Sequence, residues 1–249
     1  MNRPSRRTCT SLFLVLATAW QGGSALAADR ISYPARGSDI PGDSHWRITN
    51  FHDECCTLEL AVAQWNGTRW TKGNGGTTSQ DSHTWGVPLY APANGVIASC
   101  WRNFPDNPNL GEPYHPDYPT RIFLGGNHVV IKTEDGHVIS TNHFKQASID
   151  PALCPPNADA TIYPSTMAKE GEWRVAAYMP PGQRPHVREG QFIGLAGSSG
   201  RSSGPHLHIQ MKQIQPTLDS KNRETLGSAV ALPVRHDWSH GYESNSPQV

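Results

Sequence analysis

Apolar and polar positions alternate along this chain in short runs, and no long stretch repeats with a helical period. A period of two places successive side chains on opposite faces of a strand, so the pattern predicts a mainly β chain. Strand-like segments are expected at residues 46–51 and 57–65, the second reading TLELAVAQW. Asn66-Gly67 then predicts a tight hairpin into residues 68–71, and Asp135-Gly136 predicts another between residues 128–133 and 137–144. Further strands are expected at 87–91, 96–101, 191–196 and 205–212. Two long irregular insertions, 103–124 and 150–184, interrupt the series, and loops of that length are expected to form functional rims. The segment 28–45 is broken by Pro34, Gly37, Pro41 and Gly42 and reads as an extended lead-in. Residues 46–215 are expected to form the domain, and 216–249 a polar tail that covers an edge or hangs loose.

Composition sharpens this picture in three places. Among 249 residues, 23 glycines and 21 prolines suit short strands joined by many turns. Lysine plus arginine balance aspartate plus glutamate at 21 each, so charge gives no argument for a nucleic-acid partner. The N-terminus carries Arg3, Arg6 and Arg7, then the apolar run SLFLVLATAW, then Ala25-Leu26-Ala27. The run falls short of the ~18 residues of a membrane span. It predicts a signal peptide over residues 1–27, cleaved near Ala27, and a secreted or periplasmic protein without stable membrane insertion. Four cysteines then remain: Cys55, Cys56, Cys100 and Cys154. An even number in an exported chain predicts two disulfides, and neighbours such as Cys55 and Cys56 pair with each other only through a distorted peptide. Each is therefore expected to pair with Cys100 or Cys154.

The densest chemistry lies in VREGQFIGLAGSSGRSSGPHLHIQM, residues 187–211. His206 and His208 stand two apart on a predicted strand, so both imidazoles share one face and can converge on a metal. Gly197, Gly200 and Gly204 supply the turn that returns this strand across the sheet. The run resembles the G-x-x-G-x-[ST]-G-P-H-L-H signature of the lysostaphin-type, or LytM-like, zinc metallopeptidases. GVPLYAPANGVI at 86–97 is similar to the same family's G-T-P-V-Y-A-P-A-D-G-V-V strand pair, and NHVVI with Asn142-His143-Phe144 to its G-N-x-V-V-I … A-H-L hairpin. The resemblance covers roughly residues 86–211. It implies a compact antiparallel β-sheet or sandwich of the duplicated hybrid motif type, with zinc in a groove on the sheet face. It also implies His208 as a zinc ligand, and His206 and His143 as catalytic histidines.

The front half of the family's metal site departs from the pattern. Its H-x-x-x-D would place Gly76 at the histidine and Gln80 at the aspartate, and neither residue holds zinc. Some members carry these ligands on an earlier strand, before an inserted hairpin like that at Asn66-Gly67. In that arrangement His52 is the first ligand and Glu59 replaces the aspartate; a carboxylate amid Leu58, Leu60 and Val62 needs such a reason to be there. Asp81 with His83 is the alternative pair, and Asp53 or Glu54 can stand for Glu59. His45 in the lead-in is near enough in sequence to reach the metal.

The function expected is that of a monomeric secreted zinc metallo-endopeptidase acting on peptide cross-links of peptidoglycan, a substrate class taken from the resemblance alone. Trp65, Trp70, Trp85 and Trp101 are available to floor a groove for peptide or glycan. The rival is a non-enzymatic wall-binding or hydrolase-activating module of the same fold, favoured by the damaged H-x-x-x-D. No H-E-x-x-H helix and no G-x-S-x-G elbow occur, and the APANGV stretch lacks the lysine of a swinging-arm carrier.

Overall fold

Alternation along residues 57–65 resolves in the computed structural model into a strand whose even-numbered apolar residues Leu58, Leu60 and Val62 face the core. The structure describes residues 31–52, 57–113, 125–155, 179, 181–218 and 224–229; for 51–52, 214–218 and 224–229 it describes the backbone alone. The expected signal peptide lies outside these residues. Among those described, no helix is long and apolar enough to cross a membrane.

Among the described residues, eleven strands follow in chain order: β1 (Ser44–His52), β2 (Thr57–Trp65), β3 (Trp70–Thr71), β4 (Pro88–Tyr90), β5 (Gly95–Trp101), β6 (His128–Lys132), β7 (His137–Asn142), β8 (His186–Val187), β9 (Phe192–Leu195), β10 (Leu207–Leu218) and β11 (Glu224–Ala229). The chain is mainly β and antiparallel. One sheet runs β1-β2-β10-β7-β6-β5-β8, with β3 added to β2 and β11 to β10; β4 and β9 make a second, two-stranded sheet. Leu89 and Ile193 of the small sheet join Leu60, Ile97, Ile131, Ile139 and Ile209 of the large one in a single buried cluster. Burying each such side chain contributes about 1.5–3 kcal/mol.

Both predicted hairpins are present. Gly67 and Gly136 take positive φ (95° and 87°), as tight hairpin turns require. At the other end of the chain the expected boundary at 215 falls inside β10, which continues to Leu218 and pairs with β11. Edge pairing there satisfies backbone groups that the polar side chains did not advertise.

The cysteine expectation is corrected. Cys100 on β5 bonds Cys154, with Cα atoms 5.7 Å apart and both residues wholly buried. Neither is then open to Cys55 or Cys56, which lie outside the described residues. The bridge pins the start of the second insertion beneath the sheet, where Arg102 Nε also donates to the Cys154 carbonyl at 3.0 Å.

Candidate active site

Antiparallel register builds the site. Glu59 on β2 lies directly opposite His208 on β10, and His208 opposite Asn142 on β7. On the outer side of β2, Asn50 is opposite Glu59, after a register shift between Ile48 and Asn50. The even-numbered residues of β10, including His208, thus share the sheet face of Glu59, while Leu207 and Ile209 enter the core.

Three histidines converge there. One nitrogen from each of His143, His206 and His208 lies within 4.8 Å of the other two. The His143 ring centroid is 4.5 Å from that of His206 and 5.6 Å from that of His208. Glu59 Oε1 closes the group, 3.6 Å from His208 Nδ1 and 3.8 Å from His206 Nε2. No other metal-capable group of this kind occurs among the described residues.

Backbone carbonyls orient two of the rings. His143 Nδ1 lies 2.7 Å from the Ser199 carbonyl, and His206 Nδ1 lies 2.8 Å from that of Gly204. A carbonyl only accepts, so each Nδ1 carries the proton and each Nε2 keeps its lone pair for the site. His143 has φ 65°, a left-handed backbone uncommon outside glycine, held by its N–H on the Gly125 carbonyl and by Gly197 N–H on its own carbonyl. Burial first, then the neighbouring His206 and His208, hold its pKa well below that of a free imidazole.

The loop that supplies Ser199 is fixed from several sides. Ser199 Oγ donates to the Phe144 carbonyl (2.8 Å) and accepts from Asn127 N–H (2.9 Å). Asn107, wholly buried, donates its side-chain amide to the Gly200 and Ser202 carbonyls at 3.0 and 2.7 Å. In the sequence, Asn107 is marked only as part of an irregular insertion; its Asn-Pro-Asn turn chemistry is visible, but not its partner ninety residues away.

A groove of about 520 Å³ runs beside Glu59 and His206. Asn50, Lys72, Gly76, Leu110 and Gly204 are among its walls. None of the four tryptophans lines it. Trp101 is buried against Phe104, Trp85 lies under the Lys145 ammonium, and Trp65 and Trp70 pack together at the far end of β2.

The remaining expected ligands fall as follows. His52 ends β1 opposite Thr57, which is opposite Gln210, so its row lies two residues along from Asn50–Glu59–His208; its side chain lies outside the described residues, as do Asp53 and Glu54. Asp81 is turned away: its carboxylate accepts from Thr78 N–H (2.9 Å) and Thr78 Oγ1 (2.6 Å) in a capping box. His83 Nε2 contacts Thr71 Oγ1 at 3.1 Å. Neither belongs to the histidine group. His45 stacks edge-on against Trp70 at 4.1 Å, also away from it.

No family model matches the chain. Among solved structures it is similar to a zinc-containing peptidase from Vibrio cholerae, at 19% identity over 82% of this chain and 41% of that one, TM-score 0.33. It is also similar to a putative peptidase M23 from Pseudomonas aeruginosa (17%, over 72% of this chain and 47% of that one, TM-score 0.32). Lysostaphin of Staphylococcus simulans is a third (16%, over 81% and 46%, TM-score 0.32). The chain spans less than half the length of each. Similarity at this level leaves the role of every residue to the geometry.

Proposed function

We propose that this chain is a secreted zinc metallo-endopeptidase that hydrolyses peptide bonds, with peptidoglycan cross-links as its substrate. The observation that carries the reading is the convergence of His143, His206 and His208 on Glu59. Its sequence motifs support the same assignment, and the substrate class rests on them alone.

The donor set fits zinc. Imidazole nitrogens and one carboxylate are ligands zinc accepts, and two of the rings already have Nδ1 committed to carbonyls, as ligating or proton-transferring histidines require. Glu59 and His208 would hold the metal, with His52 as the third ligand in our assignment. The chemistry zinc supplies when held there is Lewis acidity toward a water and toward the scissile carbonyl.

His143 and His206 would then handle the proton. Each presents Nε2 as an acceptor, and burial keeps His143 neutral and able to receive a proton from the attacking water. Once protonated, the same nitrogen donates to the departing amine. An imidazolium formed at His206 would lie beside the carboxylate of Glu59, which offsets its charge.

One observation favours the rival, a non-catalytic wall-binding module. A Cβ at Gly76 would overlap the Asp81 carboxylate, so the standard histidine position has no room for a side chain while Asp81 caps Thr78. The test is metal content and peptidoglycan digestion by the purified mature protein beside His208→Ala and His52→Ala/Glu59→Ala variants. Near-stoichiometric zinc, lost in both variants together with digestion, supports the enzyme. No zinc in the wild type after reconstitution leaves the binding module.

A further inference from the structure

Between Asn103 and Pro113 the first insertion passes between the two loops that flank the histidines, and Asp106 touches both. Its Oδ2 accepts from Gln146 N–H at 2.8 Å, three residues after His143. Its Oδ1 accepts from Ser198 N–H at 2.7 Å, one residue before the carbonyl that holds His143 Nδ1. Asp106 also forms a β-bridge with Ser199 itself. A Cβ at Gly197 would overlap Asp106 Oδ1 and the Lys145 backbone, so this glycine lets the three segments meet.

We propose that Asp106 is a positioning residue for His143. Its carboxylate fixes the distance between the loop that carries the imidazole and the loop that carries its acceptor, and so selects the tautomer with Nε2 open to the site. The geometry calls for a carboxylate specifically. Both oxygens accept backbone N–H groups, whereas an amide would set its NH2 against one of them. Without the bridge, the His143 ring loses the register that brings Nδ1 to 2.7 Å from Ser199 O, although every group that would touch substrate is still present.

The inference rests on His143 acting as the proposed proton acceptor, but its structural half can be read without turnover. The full mature chain, 15N-labelled at histidine, is compared with Asp106→Asn and Asp106→Ala at neutral pH, with and without zinc. In the wild type, the His143 nitrogens should report Nδ1 protonated and Nε2 bare. Both variants should shift toward a tautomer mixture. In parallel, kcat should fall about 10–100-fold, with KM changed less than about twofold, as for loss of an orienting partner. Asp43→Ala removes an exposed carboxylate bonded to the Gln64 side chain at 3.0 Å, away from the site, and should change neither readout. An unchanged His143 signature in the variants overturns the proposal, whether or not kcat falls. If Asp106→Ala does not fold, Asp106→Asn, which keeps one of the two bonds, carries the same comparison. A wild type that shows the tautomer but cleaves nothing overturns the peptidase reading and leaves the positioning of His143 standing.

Discussion

Glu59 and His208 are opposite one another in the antiparallel pairing of β2 and β10, and Glu59 Oε1 lies 3.6 Å from His208 Nδ1. Neither depends on loop geometry for its position. A carboxylate and an imidazole on adjacent central strands are held more precisely than groups carried on loops. Glu59→Ala and His208→Ala should each weaken zinc binding by about 100-fold or more, exceeding the 10–100-fold usual for outer-shell changes. Competition titration against a chromogenic chelator measures this directly.

His143→Ala and His206→Ala should separate from that pair. If both transfer protons rather than hold the metal, zinc stays near the wild-type level while turnover falls by roughly 10²–10⁴. Loss of zinc in His206→Ala, read by the same titration, would reassign His206 as a ligand.

Much of this was legible in the sequence. Period-two alternation, the Asn-Gly and Asp-Gly turns and the P-H-L-H strand are local signals, and they placed β2, β6, β7, β10 and their histidines. Glu59 announced itself as a carboxylate flanked by leucines. What stayed hidden is long-range. The Ser199 carbonyl on His143, the Asp106 and Asn107 bonds to the 198–204 loop, and the Cys100–Cys154 bridge join residues 54 to 95 positions apart. Backbone carbonyls carry no sequence identity, so no residue pattern marks them as partners.

A third prediction concerns Gly76. Placing a histidine there, as the family motif would have it, should not create a metal site. The new side chain displaces Asp81 from Thr78, so Gly76→His should lower the denaturation midpoint and leave zinc affinity at the wild-type value. In an Asp81→Ala background the same substitution should cost less, a coupling that a double-mutant cycle would show.

Stability should fall in mild acid through His128. This histidine is buried, with Nδ1 2.8 Å from the Gly126 carbonyl, and burial lowers its pKa from 6.5 to about 4. Between those values the unfolded chain takes up a proton that the native state refuses. Stability therefore decreases as pH drops from 6.5 toward 4, by roughly 3 kcal/mol at the full extent of the shift. Urea midpoints across that window, compared with His128→Gln, should show a shallower pH slope in the variant.

The buried Cys100–Cys154 bridge should resist reductant while the protein is folded, since both sulfurs are shielded. Cys100→Ser/Cys154→Ser should lose roughly 4 kcal/mol, the chain-entropy value for a loop of this length. Thermal denaturation with and without reductant checks both statements.

The insertion between β5 and β6 also bonds both walls of the groove. Leu110 N–H meets the Thr77 carbonyl at 2.7 Å on one side, and Gly111 N–H meets the Ser203 carbonyl at 2.7 Å on the other. A slot braced in this way keeps its width: its two walls part only if a backbone hydrogen bond breaks on each side.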